Sequence, residues 1–195
     1  MKTDIILAGV GGQGILSIAS CIGVAAMNEN LFVKQSELHG MSQRGGAVQS
    51  HFRLSDKPIY SAQIPLGQAD IILSVEPMEA LRYLPWISPD GMLVTDSTPY
   101  INIPNYPEPE TVISEIKKLK KHVLIDANSL AASIKSPKSA NIVMLGAASK
   151  YLQVSYNSLE NALEEIFKTK GAAVIDVNKQ ALKLGRDYAE KYICG

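Results

Sequence analysis

The stretch that most constrains this chain is Asp4-Ile-Ile-Leu-Ala-Gly-Val-Gly-Gly-Gln-Gly-Ile-Leu16. Four apolar residues, Ile5 to Ala8, run straight into glycines at positions 9, 11, 12 and 14. Ile15, Ile18, Ala19, Ile22 and Ala26 then recur at the spacing of a helix with one buried face. The pattern is strand, tight turn, helix. A short strand apolar on both faces suits the middle of a parallel sheet covered by helices on each side. Gly9, Gly11 and Gly14 also satisfy G-x-G-x-x-G, the turn at which a helix N-terminus receives a pyrophosphate. Two readings follow. Either the backbone of Gly11, Gly12, Gln13 and Gly14 cradles an anion, or glycine is there only to let the helix pack closely on the sheet.

Length and charge narrow the class. A chain of 195 residues suits one domain over 1–195, and such a domain buries roughly 70% of its unfolded surface without disulfides or metal. Basic and acidic residues balance at 19 each, whereas a nucleic-acid binder shows a basic surplus. The densest basic run, Lys117 to His122, closes a helix expected from near Glu110, where cations complement the helix dipole. The two cysteines, Cys21 and Cys194, form no C-x-x-C, so this chain alone ligates neither zinc nor an iron–sulfur cluster. They fit a reducing, cytoplasmic setting. Ile5 to Met27 carries no charge, yet its five glycines and Gln13, Ser17 and Ser20 mark a buried β–α unit. A membrane span or a signal peptide is not indicated.

Further along, Leu31 to Ser36 reads as a second strand, and the spacing of Glu37 from Gly14 does not exclude it as the ribose-binding acid of a nicotinamide fold. No crossover helix follows. Instead a polar loop, Leu38-His-Gly-Met-Ser-Gln-Arg-Gly-Gly46, leads into Ala47–Leu54, whose alternation is that of a strand. Ile59 to Ile64 is expected to return beside it. This inserted strand pair departs from a dinucleotide domain and weakens that reading. Alternation then resumes: a strand at 69–74, a helix at 77–84, a strand at 92–95, a helix at 110–121, a strand at 122–126 and a helix at 127–134. Three more helices are expected, at 142–152 capped by Asn141, at 159–169, and at 176–193. Residues 97–109 hold four prolines and read as an exposed arm, which with Tyr83–Trp86 offers a contact surface for a partner. The fold expected is three-layer α/β/α, Rossmann-like, with a mostly parallel sheet and an inserted strand pair.

Arg44, Gly45 and Gly46 are the best neighbours for the glycine turn. Arginine offers a planar fork of donors for phosphate or carboxylate, and the glycines let the backbone approach a ligand. Loops after strands one and two share an edge of a parallel sheet, so Gln13, His39, Ser42 and Arg44 are expected around one cleft. His39 has Glu37 nearby but no nucleophile, and no residue is assigned as catalytic. His51 and His122 read as surface residues, and Glu76 as a residue entering a helix. No G-x-S-x-G elbow and no acidic diphosphate–magnesium motif is present.

Three stretches together resemble one family: Gly9-Val-Gly-Gly-Gln-Gly14, Ser36-Glu-Leu-His-Gly-Met-Ser-Gln-Arg-Gly-Gly46 and Ala69-Asp-Ile-Ile-Leu-Ser-Val-Glu-Pro-Met-Glu-Ala-Leu81. Asn141–Ala148 and Asp176–Gly185 extend the likeness through nearly the whole chain. The family is the gamma subunit or domain of 2-oxoacid:ferredoxin oxidoreductases, and the branch is similar to the beta subunit of indolepyruvate ferredoxin oxidoreductase. The resemblance implies an accessory subunit of a complex that converts an aryl 2-oxoacid to an acyl-CoA and reduces ferredoxin. Thiamine diphosphate and [4Fe-4S] clusters would lie in a large partner subunit. CoA phosphates, or that partner, would meet Gly11–Gly14 and Arg44–Gly46. The alternatives are a self-sufficient NAD(P)-binding oxidoreductase, a gamma subunit for pyruvate or 2-oxoglutarate, and a purely structural assembly subunit.

Overall fold

Residues 1–40, 45–101 and 103–192 are described by the computed structural model of the chain. Six strands among them form one sheet: β1 (Lys2–Val10), β2 (Phe32–His39), β3 (Ala47–Ser55), β4 (Ala69–Ser74), β5 (Ile87–Asp96) and β6 (His122–Ile125). Their spatial order is β2-β3-β1-β4-β5-β6. Strands β1, β4, β5 and β6 are parallel, and β3 runs antiparallel to both β1 and β2. Strand β2 therefore points the same way as β1, so its end at His39 and the end of β1 at Val10 reach one edge.

The helices are α1 (Ile15–Asn28), α2 (Pro77–Arg82), α3 (Pro109–Lys117), α4 (Ala127–Ser133), α5 (Ala140–Ala148), α6 (Tyr156–Phe167) and α7 (Ala172–Lys191). Alternation along β1 feeds both faces. Ile5 and Leu7 enter the larger core with α1, α4, α5, α6 and α7, while Ile6 and Ala8 enter the smaller one with α2 and α3. Every residue of α5 from Ile142 to Ala148 is buried, which makes it the central helix of the larger layer. Cys21 lies on the buried face of α1, and burial pushes its thiol up to about 12.

The α/β expectation holds, with local corrections. Ile59–Ile64 forms no strand, because β1 and β2 already occupy both edges of β3. Side chains tie the segment down instead: Arg53 Nη1 donates to the carbonyls of Ser61 and Gln63, and the Ile64 amide donates to His51 Nδ1 at 2.9 Å. His51 and His122 are buried, not surface residues. Each ring is kept in by a backbone partner, the Ile64 amide for one and the Leu119 carbonyl for the other, and by an aromatic neighbour, Trp86 or Tyr192. Tyr83 turns inward as well and packs in the smaller core. Arg53 also forks onto the fully buried Asp4, with Nε–Oδ1 at 2.8 Å and Nη2–Oδ2 at 3.0 Å.

The described residues between β5 and α3 take no regular structure. Buried Glu76, the N-cap of α2, holds it: one carboxylate oxygen takes the Glu79 amide, and the other takes the Tyr100 amide and the Tyr106 hydroxyl. Among the described residues no helix is long and apolar enough to cross a membrane.

Candidate functional site

The glycine turn sits at the carboxyl ends of β1 and β4, and three separate contacts hold its shape. Gln13 folds back on it, its Oε1 accepting from the Val10 amide at 2.7 Å and its Nε2 donating to the Val75 carbonyl at 3.2 Å. Gly11 exchanges two backbone bonds with the start of β3, donating to the Gly46 carbonyl at 2.8 Å and accepting from the Gly45 amide at 3.4 Å. Asn141, from the first turn of α5, donates to the Gly14 carbonyl at 3.2 Å. It is not the cap of α5, a position held by Ser139. Gly14 is the N-cap of α1 at φ 83, and a β-carbon there would meet Asn141 Nδ2 at 2.5 Å. The positive φ favours glycine at this position, and a β-carbon there would displace the Asn141 amide from the Gly14 carbonyl.

Two concave regions flank the turn and share Gly12, which is exposed at φ 101. The first is an apolar groove of about 290 Å³ lined by Val10, Gly11, Gly14, Ile15, Leu16, His39 and Val48. Leu16, at 51% exposure, leaves apolar surface in the open here. His39 pairs with Glu37 and belongs to this groove. The second is a polar cleft of about 190 Å³ beyond Gln13, lined by Asp96, Asn128, Lys138 and Asn141 over Val75 and Met144. Neither volume encloses a drug-sized ligand, for which ~300–1,000 Å³ is usual.

The sequence-predicted residues thus divide. Gly11, Gly12 and Gly14 form the turn, Gly45 and Gly46 are bonded to it, and His39 lies on its apolar side. Gln13 faces the polar side, with its amide committed to the backbone. Ser42 and Arg44 lie outside the described residues.

Asp96, Asn128 and Lys138 went unnoticed in the sequence. The usable signal was position: Asp96 directly follows the apolar run of β5, so it emerges at the edge where parallel sheets bind ligands. It is 3% exposed, with Oδ1 accepting from the Thr98 amide and Oδ2 from Asn128 Nδ2, both at 3.0 Å. Burial raises its pKa to about 6, against the opposing pull of the Thr98 and Ala127 amides.

The family model for pyruvate ferredoxin/flavodoxin oxidoreductase matches residues 4–188. The chain belongs to this family. It is 33% identical to the indolepyruvate oxidoreductase subunit IorB of Archaeoglobus fulgidus, over 97% of this chain and 96% of that one. Two solved structures share the fold. Pyruvate oxidoreductase subunit PORC of Thermotoga maritima superposes with a TM-score of 0.74 at 22% identity, covering 96% of each chain. The 2-oxoglutarate:ferredoxin oxidoreductase of Magnetococcus marinus, solved with 2-oxoglutarate, coenzyme A and succinyl-CoA bound, gives 0.78 at 24% identity. The present chain is covered in full there but spans only 32% of that longer chain.

Proposed function

We propose that the chain is the small accessory subunit of a thiamine-diphosphate-dependent arylpyruvate:ferredoxin oxidoreductase. The complex would oxidatively decarboxylate an aryl 2-oxoacid to the aryl-acetyl-CoA and pass two electrons to ferredoxin. The supporting observation is the near end-to-end match to IorB, a relative named for indolepyruvate. Two cysteines cannot supply the four thiolates of a [4Fe-4S] cluster, and Cys21 is buried as a thiol. The sequence carries no acidic diphosphate–magnesium motif for thiamine diphosphate either, so both groups are assigned to a large partner subunit, in the cytoplasm.

The glycine turn does fit an anion such as a CoA phosphate. Ile15 and Leu16 open α1, so their amides have no acceptor within the helix, and the dipole there is positive. Open space beside Gly12 lets a ligand approach the backbone closely. Gly11, Gly12, Gly14, Arg44, Gly45 and Gly46 are the residues proposed to meet CoA. CoA supplies the thiol that accepts the acyl group, and this chain's part is to hold its phosphates. Contact with the large subunit is the second reading, favoured by the apolar surface at Leu16.

Reconstitution tests the proposal. The isolated chain is expected to show no indolepyruvate- and CoA-dependent viologen reduction and no shift of NADH fluorescence. Adding it to the cluster-bearing subunit should restore turnover. Gly12→Val should raise the KM for CoA with little change in the KM for the 2-oxoacid. Full activity of the chain alone, or of the large subunit without it, would sink the reading.

A further inference from the structure

The two edges of the sheet are finished differently. Strand β6 has only four residues, and α7 covers its outer side: the Tyr188 hydroxyl donates to the Leu124 carbonyl at 2.8 Å, and the Tyr192 ring meets that of His122. Strand β2, at the other edge, runs for eight residues, Phe32-Val-Lys-Gln-Ser-Glu-Leu-His39, and pairs with β3 alone. Edge strands are commonly kept from further pairing by proline, a bulge or an outward lysine. Strand β2 has no proline, and its register with β3 runs without a bulge. Its one lysine is turned onto its own chain, with Lys34 Nζ donating to the Tyr60 carbonyl at 3.2 Å. Phe32 and Leu38, near its two ends, are 48% and 57% exposed.

An open edge is completed by another strand, and the residues of β2 indicate which. Residues directly opposite in an antiparallel pair lie on the same face of the sheet. Two copies of β2 related by a two-fold axis therefore match residues of equal parity, with the axis at one residue position. Charge removes two of the central positions. An axis at Lys34 sets lysine against lysine, and an axis at Glu37 sets glutamate against glutamate. An axis at Ser36 sets Lys34 against Leu38. An axis at Gln35 sets Phe32 against Leu38, Val33 against Glu37 and Lys34 against Ser36. Only there do the two exposed apolar side chains meet, and symmetry makes them meet twice. No like charges stand opposite each other in that register.

We propose that the outer edge of β2 pairs antiparallel with β2 of a second copy of this chain, about a two-fold axis at Gln35, so that one sheet runs through both copies. Tyr60, whose carbonyl Lys34 holds next to that axis, is 92% exposed and adds aromatic surface to the contact. The glycine turns of the two copies then open at opposite ends of the joint sheet. The inference rests on the chain's own surface and does not depend on the subunit reading.

Sedimentation equilibrium of the full chain tests this between about 1 and about 200 μM, the range in which an interface of modest size dissociates. Wild type should pass reversibly from the mass of one chain to that of two. Phe32→Glu and Leu38→Lys, both at exposed positions and checked for folding by circular dichroism, should each weaken the dimer about tenfold, because each defect enters the interface twice. Mixed in equal amounts, the two variants should associate about as tightly as wild type. Each mixed dimer sets the new glutamate against the new lysine and keeps the other Phe32–Leu38 pair intact. A wild-type chain that stays monomeric, as pairing with a strand of the large subunit would require, overturns the proposal. So does wild-type affinity in both variants, or a mixture that associates no better than either variant alone. Because the chain is studied by itself, such a failure leaves the reconstituted oxidoreductase activity as a separate result.

Discussion

Replacing Gly185 by alanine should destabilise the protein by at least about 3 kcal/mol, at or above the upper end of overpacking effects. A β-carbon at Gly185 of α7 would lie 1.9 Å from the Val143 carbonyl oxygen and 2.7 Å from the Ala147 amide nitrogen of α5. The contact is reciprocal, since a β-carbon at Gly146 of α5 would lie 2.0 Å from the Leu182 carbonyl oxygen of α7. Both obstacles are helix backbone, which cannot swing aside as a flexible side chain can. To reach even a tight 3.4 Å contact, the helices must separate by roughly 1.5 Å, opening a seam in the larger core. Alanine's better helix propensity, worth at most about 1 kcal/mol over glycine, offsets only part of this. For a domain of this size the melting temperature should fall by about 10 °C. Gly23→Ala provides the contrast. Its β-carbon would meet the Phe52 ring at 3.6 Å, an ordinary contact, so propensity should dominate and stability should hold or rise. Thermal melts of the three proteins check both statements, and a G185A midpoint within 2 °C of wild type would refute the steric account. Asn141 and Met144 of α5 line the polar cleft, so the same seam also positions the site.

That helix pair shows what the sequence could and could not reveal. The period of apolar residues announced α5 and α7, and the glycines at 146 and 185 were visible, but nothing local said that they face each other. Such pairing depends on a contact between residues 39 positions apart in the chain. The first β–α unit was legible because its strand, turn and helix are each specified within one short stretch. Strand β3 was legible by its alternation, whereas its neighbours were not. Pairing with both β1 and β2 is a choice of edges, and it left Ile59–Ile64 to be fastened by Arg53 and His51. His51 and His122 were misplaced for a related reason: a histidine's burial depends on whether a carbonyl or amide is waiting for its ring nitrogen. At the site, the glycine turn was readable and its polar neighbours were not. Asp96, Asn128, Lys138 and Asn141 come from separate elements, and only the order of the strands gathers them.

Asp96→Asn should make the protein more stable at pH 7.5, by up to about 3 kcal/mol, and much less so at pH 4.5. The carboxyl group's pKa rises from its ordinary 3.8 to about 6, first because burial strips water from the charged form, and further because Asp126 lies near. Each pH unit corresponds to 1.36 kcal/mol, which gives the upper figure. The sign follows from proton counting. Between about pH 4 and 6 the folded state holds a proton that the unfolded state has released, so stability falls as pH rises through that window. Above 6 the loss is complete, and below 4 it vanishes. Asparagine removes the charge while keeping an oxygen for the Thr98 amide, and Asn128 can turn its own oxygen toward the new amide group. Denaturant midpoints of both proteins at several pH values measure the difference directly. A D96N advantage that stays constant from pH 4.5 to 7.5, or is absent throughout, would show that charge burial at Asp96 is not what destabilises the fold. If the advantage appears only at the higher pH, a stabler residue was available at this position and the charged one stands there instead. A charged group retained against stability in a cleft is expected to interact with something other than its own fold.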